Sequence, residues 1–212
     1  FAVSPRGNRI VATEAQGNAL MIDRAGGRLE RVWGPQTALP QPLALSADGA
    51  WVISGIDALV QWDPSSSRGR ALPDAPSESR FNQVAALSDD SRRLLTLRGS
   101  AVIRDVDSGE ALHVLGNGAP LAAADFLLGG RYALIAAADG INTIHRGTGG
   151  TALATLVLSD DGGWLATSAD GTRFDAAPGS AGRAGECAMH SPGLFAELLA
   201  QDDDLNPPPP AQ

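Results

Sequence analysis

An internal repeat of about 42 residues constrains this chain more than any other sequence feature. Four segments align with one another: Phe1–Asp23, Leu43–Asp63, Val84–Asp105 and Ala122–Arg146. Their equivalent apolar positions are Ile10, Val52, Leu94 and Ala133, which are separated by 42, 42 and 39 residues. Self-similarity at a fixed period of this length predicts an array of stacked structural units.

Each unit reads as a series of short strands joined by tight turns. In the second unit an apolar run, Leu43–Leu45, is followed by the polar turn Ser46–Gly49 and a second apolar run, Trp51–Ile53. A short turn at Gly55–Asp57 then leads to an alternating segment, Leu59–Trp62. Asp-Gly provides the positive φ angles of a tight hairpin turn. With a weaker fourth strand, each unit predicts a four-stranded antiparallel sheet and an all-β fold.

Units of 40–45 residues with four strands resemble the blades of WD40-repeat β-propellers, and the resemblance covers Phe1 to Ser159. The Trp-Asp dipeptide occurs as Trp62-Asp63, and the equivalent pairs are Ile22-Asp23, Arg104-Asp105 and His145-Arg146. The Gly-His dipeptide of many WD40 repeats is missing from every unit. The resemblance therefore implies a divergent bacterial propeller with only part of the family's structural hydrogen-bond network. Its structural repeat positions are Asp23, Ser54, Asp57, Trp62, Asp63 and Asp105.

The predicted organisation is a propeller region, residues 1–180, followed by a C-terminal segment, 181–212. The blades are expected at about 1–40, 41–81, 82–119 and 120–160, with a closing hairpin at 162–180. Four blades and a hairpin make a poor closed ring, because propellers have four to eight blades and WD40 rings most often have seven. We therefore expect further blades upstream or in another chain.

The C-terminal segment predicts a linker, a short helix at 191–201 and an acidic, proline-rich disordered tail. Ser191 is suited to cap this helix and Pro192 to be its first residue. Leu194, Phe195, Leu198 and Leu199 form an apolar stripe. A stripe of this kind needs a surface, either the flank of the propeller or a protein partner, so these four residues are candidate partner contacts.

Charge and composition limit the classes of partner. A net charge of -8 disfavours nucleic acid, whose phosphates need a basic surface, and anionic lipid. All sixteen basic residues are arginine, which indicates a GC-rich bacterial genome. No apolar stretch reaches the roughly 18 residues of a membrane span. A single cysteine, Cys187, leaves the cytoplasm and the periplasm both open as compartments.

The residues that could support chemistry are few, and we predict no cofactor and no metal. Cys187 and His190 form a C-x-x-H pair, but zinc needs about four ligands and a second pair is absent from the sequence. The glycine-rich segments at 116–118 and 147–150 lack the spacing and lysine of a phosphate loop. His145 stands where the repeat has tryptophan, either as a titrating ligand or as a strand residue. Asp202–Asp204 lacks the spacing of a calcium loop.

Acidic residues recur at the first turn of the units. They are Asp48, Asp89, Asp90, Asp160 and Asp161. They are explained either by ordinary turn chemistry or by an acidic rim that attracts a basic partner.

The sequence thus favours a non-enzymatic interaction scaffold or assembly subunit with a protein partner. The alternative is a regulatory or sensor propeller of a larger enzyme such as a caspase-like peptidase, since the Gly162–Ser180 segment resembles one found in some bacterial WD40 proteins, some of which carry such a domain. A ligand-binding or catalytic propeller that uses a central channel is a third hypothesis, which the apolar first strands disfavour.

Overall fold

The computed structural model describes most of the repeat region and little of the C-terminal segment. The described residues are 1–4, 7–13, 19–33, 43–46, 48–54, 59–63, 68–72, 83–116, 119–159, 162–177, 189–190 and 194. Within these ranges almost all regular structure is β-strand, and the chain forms antiparallel four-stranded sheets. The all-β prediction is confirmed.

Three sheets consist of four strands each, paired in sequence order and antiparallel throughout. The first sheet contains β1 (Ala2–Val3), β2 (Arg9–Thr13), β3 (Ala19–Asp23) and β4 (Arg28–Trp33). The second contains β5 (Leu43–Leu45), β6 (Val52–Ser54), β7 (Val60–Asp63) and β8 (Arg68–Ala71). The third contains β9 (Gln83–Leu87), β10 (Arg93–Arg98), β11 (Ser100–Asp105) and β12 (Ala111–Leu115).

The fourth sheet is larger than the repeat predicts. It contains β13 (Leu121–Leu127), β14 (Tyr132–Ala137), β15 (Ile141–Arg146), β16 (Ala152–Leu158), β17 (Trp164–Ser168), β18 (Arg173–Ala176) and β19 (Met189–His190). A single 3-10 turn, Leu128–Gly130, separates β13 from β14. The hairpin formed by β17 and β18 does not stand apart from the fourth unit, because β17 pairs with the outer edge of β16. This pairing satisfies backbone groups that an edge strand would leave open. Strand β19 adds to β18 in parallel.

The sheets pack face to face in chain order. The first strands of successive sheets lie side by side, β1 against β5, β5 against β9 and β9 against β13. Among the described residues, three apolar clusters fill the interfaces: one between the first and second sheets, one between the second and third, and one between the third and fourth. No closed barrel or propeller ring is formed by this part of the chain.

Neighbouring residues of one strand face opposite interfaces, as the two-residue period of a strand requires. Val52 packs towards the first sheet and Ile53 towards the third. Leu94 packs towards the second sheet and Leu95 towards the fourth. Central strands covered on both faces therefore read as continuous apolar runs, which is why the repeats stand out in the sequence.

Cross-strand pairing places one residue of each strand in a row that faces the preceding sheet, and we call this the leading row. The leading rows of the second, third and fourth sheets are Leu45–Val52–Trp62–Gly69, Leu87–Leu94–Arg104–Ala111 and Phe126–Ala133–His145–Ala152. The corresponding row of the first sheet is Val3–Ile10–Ile22–Leu29. The positions aligned from the sequence thus occupy equivalent places in the four sheets.

Candidate interaction rim

The first turn of the repeat is built around a buried serine. In the first turns of the second and third units, and also in the β17–β18 turn, the serine hydroxyl donates to the aspartate two residues later, at 2.6 Å for Ser46, 2.5 Å for Ser88 and 2.5 Å for Ser168. The same hydroxyl accepts the backbone N–H five residues on, at 3.1, 3.0 and 3.1 Å. Each aspartate also accepts a backbone N–H within its turn, at 2.9 to 3.0 Å. Together these hydrogen bonds hold the turn in one conformation.

The first unit has a variant of this turn. Ser4 donates to Asn8 at 2.7 Å instead of to an aspartate, and it accepts the Arg9 N–H at 3.1 Å. The residue three positions after each serine has positive φ, 67° at Gly7 and 68° at Gly49. Ser91 takes this position in the third unit with φ 60°, which is uncommon outside glycine, and its N–H donates to the Ser88 carbonyl at 2.8 Å.

Two of these aspartates, Asp90 and Asp170, are held in the ionised form. Hydrogen bonds from the Ser168 hydroxyl, the Thr172 N–H and the Thr172 hydroxyl lower the pKa of Asp170 from 3.8 to about 2. Burial opposes ionisation of Asp90, but the Ser88 and Arg92 hydrogen bonds and the charges of Arg93 and Arg92 outweigh it, so the pKa of Asp90 also lies below its ordinary value. These two carboxylates therefore keep their negative charge at neutral pH.

Turns of neighbouring sheets contact one another. Arg9 donates from Nη1 to the Asp48 carbonyl at 2.7 Å, which links the first sheet to the second turn. The N–H of Asp89 donates to the Gly129 carbonyl at 3.3 Å, which links the third turn to the fourth. A Cβ on Gly130 would lie 2.6 Å from the Ser88 Cβ, so only glycine permits this approach. The first turns consequently line one edge of the stack, which we call the rim.

The rim carries an acidic pocket between the second and third sheets. It measures about 370 Å³ and is lined by Asp48, Asp89, Asp90 and Asp107 together with Trp51, Gln61 and Ser91. Asp48, Asp89 and Asp90 come from the first turns of the second and third units, and Asp107 comes from the β11–β12 turn. Because consecutive strands run in opposite directions, these turns lie at the same edge of the sheets. Three of the five acidic residues expected at a rim meet here, while Asp160 and Asp161 lie outside the described residues.

An arginine fixes the wall of this pocket. Arg70 donates from Nη2 to Gln61 Oε1 at 2.6 Å and from Nη1 to the Asp107 carbonyl at 3.2 Å, and so it joins the second sheet to the third. Among the described residues no group of three or more His, Cys, Asp or Glu side chains is arranged to hold a metal ion. The chemistry offered by the pocket is a cluster of carboxylates beside an indole ring.

A second groove runs along the first strands. It also measures about 370 Å³ and is lined by β1, β5, β9 and β13 residues. Most of its lining residues are of apolar type, with Phe126 on one side, and Asp89 and Asp125 are its charged side chains.

The repeat aspartates at the end of the third strand have a structural role. Asp23 accepts the Gly26 N–H at 2.9 Å, and Asp105 accepts the Ser108 N–H at 2.8 Å and the Ser108 hydroxyl at 2.9 Å. These Ser108 bonds lower the pKa of Asp105. Both carboxylates thus stabilise the turn that leads to the fourth strand. Asp63 is half-buried and lines an open pocket beside β8.

The aromatic and basic residues of the leading rows approach a glycine of the fourth strand or of the turn before it. The Trp62 ring lies against Gly69, where a Cβ would come within 2.6 Å. Arg104 donates to the Gly109 carbonyl at 3.1 Å. The backbone of Ser54 lies in β6, whereas Asp57 lies outside the described residues, so the network that the resemblance implies in the second unit is not described.

His145 is a buried strand residue with both ring nitrogens in hydrogen bonds. Nδ1 donates to the Gly150 carbonyl at 3.1 Å, and Nε2 accepts the Thr143 hydroxyl at 2.9 Å, because a carbonyl can only accept. Burial lowers the pKa of His145 despite the Gly150 hydrogen bond. On the neighbouring sheet, His113 Nε2 lies 2.7 Å from the Thr148 carbonyl, so two histidines hold the glycine-rich turn at 147–150.

The C-terminal predictions are described only at single points. Leu194 is helical and fully buried, so this side chain is covered by the chain itself. Phe195, Leu198 and Leu199 lie outside the described residues, as do Cys187, the acidic run at 202–204 and the tail. His190 contributes its backbone to β19 opposite Phe174. No helix within the described part of the chain is long and apolar enough to cross a membrane.

The sequence analysis did not predict the role of the turn serines, because it relied on aspartate and glycine as turn residues. Their signal was available, because Ser4, Ser46 and Ser88 recur at intervals of 42 residues. Serine is a common turn residue, so its burial and its double role as donor and acceptor emerge only from the geometry.

The chain matches no protein-family model, and no curated protein matches it.

Proposed function

We propose that this chain is a non-enzymatic, WD40-like β-propeller module that acts as a protein-interaction scaffold within a larger bacterial assembly. The single observation that carries this proposal is the leading row, which recurs in all four sheets while their first strands lie side by side. Blades around an axis are expected to have this arrangement, with the first strands innermost. In such an assembly, blades in addition to these four sheets complete the ring.

The rim pocket is the recognition surface that the geometry favours. Asp48, Asp89, Asp90 and Asp107 concentrate negative charge at one edge, and the whole chain is acidic at -8. Trp51 provides an aromatic surface within the same pocket, and cations bind favourably to indole faces. The partner chemistry that fits is an arginine- or lysine-rich segment, drawn in by complementary charge.

The turn network explains why this surface suits recognition. The serine–aspartate bonds fix the loops before a partner arrives, so little conformational entropy is lost on binding. Arg70 and Gln61 hold the pocket wall in the same way. Rigid scaffolds commonly place binding residues on turns of this kind.

The test measures binding of a fluorescent arginine–glycine peptide by anisotropy. We expect Asp89→Asn and Asp107→Asn each to weaken binding about two- to five-fold, as removal of one exposed charge pair does. We also expect affinity to fall as salt is raised. Asp139→Asn is the matched control, because Asp139 lies in the β14–β15 turn at the opposite edge and asparagine can still accept the Ile141 N–H. Equal loss in all three variants would contradict a specific rim site.

A further inference from the structure

The open pocket beside β8 adjoins the acidic pocket of the rim and has the opposite charge. It measures about 900 Å³, and its lining consists of Ala50, Trp51, Gln61, Asp63, Arg68, Gly69 and Arg70. Two arginines and one aspartate give it one more positive charge than negative, whereas four aspartates line the acidic pocket. A locally positive pocket is a specific feature in a chain with a net charge of -8, and we call it the basic pocket.

The strand period of β8 directs both arginines of the basic pocket to one side of the sheet. Gly69 lies between them and faces the Trp62 ring, which belongs to the leading row of the second sheet. Because neighbouring residues of a strand face opposite sides, Arg68 and Arg70 face away from the first sheet. The two guanidinium groups therefore line the same pocket.

These guanidinium groups have N–H donors available for a ligand. Arg70 uses two of its five N–H groups, one for Gln61 Oε1 at 2.6 Å and one for the Asp107 carbonyl at 3.2 Å. Arg68 is exposed, and no hydrogen bond or ion pair joins it to another residue in the part of the chain that the structure describes. Guanidinium groups form strong, often bidentate hydrogen bonds with carboxylates. The basic pocket is thus suited to a carboxylate.

The boundary between the two pockets is only one layer of side chains thick. Trp51 and Gln61 line both pockets, so they form this boundary. The hydrogen bond from Arg70 to the Asp107 carbonyl crosses it, because Arg70 lines the basic pocket and Asp107 the acidic one. An extended segment advances about 3.3 Å per residue, so it spans a boundary of roughly 7–13 Å in two to four residues.

We propose that the two pockets together bind one extended segment of a partner protein, which carries a basic residue and an acidic residue two to four positions apart. The basic residue enters the acidic pocket, and the acidic residue enters the basic pocket and meets Arg68 and Arg70. The inference rests on the proposed function, because it extends the rim site to a second pocket. It adds an acidic residue to the chemistry of the partner, and the argument for this occupant is charge complementarity.

The experiment compares fluorescent, glycine-flanked peptides by anisotropy. Each contains one Arg-Arg pair and one glutamate two, three or four residues before or after it, and each has a counterpart with glutamine in place of the glutamate. We expect the best-spaced glutamate peptide to bind about three- to ten-fold more tightly than its glutamine counterpart. Overall attraction to a chain of charge -8 has the opposite effect, because glutamate reduces the positive charge of the peptide.

The matched protein variants are Arg68→Gln and Arg28→Gln. Both arginines are exposed and begin the fourth strand of their sheet, Arg28 opposite Asp23 and Arg68 opposite Asp63. The two variants change the net charge equally. We expect Arg68→Gln to abolish the preference for glutamate and to change binding of the glutamine peptide less than two-fold. We expect Arg28→Gln to retain the preference.

Three results would overturn the inference. The first is the absence of a preference for glutamate at every spacing, and the second is a preference that survives Arg68→Gln or is lost equally in Arg28→Gln. In either case the proposed function stands if Asp89→Asn still weakens binding of the glutamine peptides. The third is a preference that depends on Arg68 while Asp89→Asn leaves binding unchanged. The basic pocket would then bind a carboxylate alone, and both the paired motif and the recognition of basic segments at the rim would be wrong.

Discussion

The hydroxyl of Ser46 lies 2.6 Å from the carboxylate of Asp48 and donates to it, while the same oxygen accepts the N–H of Trp51 at 3.1 Å. Ser46 is fully buried, so neither interaction can be replaced freely by water. The bond thus joins the acidic rim to the apolar second strand, and the same unit recurs at Ser88 and Ser168.

Ser46→Ala is expected to lower the free energy of unfolding by about 1–3 kcal/mol, because the Trp51 N–H loses its hydroxyl acceptor and Asp48 loses a donor. Urea unfolding followed by tryptophan fluorescence measures this change. Ser100→Ala is the control, since Ser100 is a half-buried residue at the start of β11, and it should change stability by less than about 0.5 kcal/mol. Equal effects would mean that the turn hydroxyl does not support the fold.

Gly130→Ala tests the contact between neighbouring turns. The position has φ 97°, and a Cβ would meet the Ser88 Cβ at 2.6 Å. Gly140→Ala is a matched control with φ 83° and nothing within 4 Å of the added Cβ. The control should lose about 1–2 kcal/mol from backbone strain alone, and Gly130→Ala should lose a further 1–3 kcal/mol or so from overpacking. Indistinguishable melting temperatures for the two variants would argue against the turn contact.

The lowered pKa of His145 predicts a loss of stability on mild acidification. Its pKa is lowered in the fold, so below the ordinary value of 6.5 the unfolded chain binds a proton that the folded chain resists. The contribution is complete above pH 6.5 and is lost as the pH falls towards the lower pKa of the folded state. His145→Gln, which retains a donor for the Gly150 carbonyl, should reduce the pH dependence of urea unfolding between pH 7.5 and 5. An unchanged slope in this variant would show that His145 is not responsible.

The lowered pKa of Asp170 predicts a second loss of stability, at lower pH. Its pKa of about 2 in the fold lies below the ordinary 3.8, so the carboxylate stabilises the fold above pH 3.8 and this contribution disappears as the pH falls through 2. Asp170→Asn should flatten the dependence of stability on pH between 4 and 2, as measured by urea titrations. An unchanged slope in this variant would contradict the turn hydrogen bonds.

Much of the repeat fold followed from local patterns. Val52-Ile53 and Leu94-Leu95 are adjacent apolar pairs, and a strand buried on both faces requires such pairs, so the strands could be predicted from sequence. The rim was predictable in part, because Asp48, Asp89 and Asp90 mark turns in any reading. Asp107 was not placed there, since nothing local shows that the β11–β12 turn meets the first turns of two sheets.

The sequence by itself determined the strand periodicity, the turn positions and the spacing of the units, because these depend on residues close together in the chain. Tertiary structure alone decided that β17 continues the fourth sheet and that Arg70 bridges two sheets. Both depend on which strands and sheets become neighbours once the chain has packed, and a repeat with the same pattern in every unit carries no local record of its neighbours.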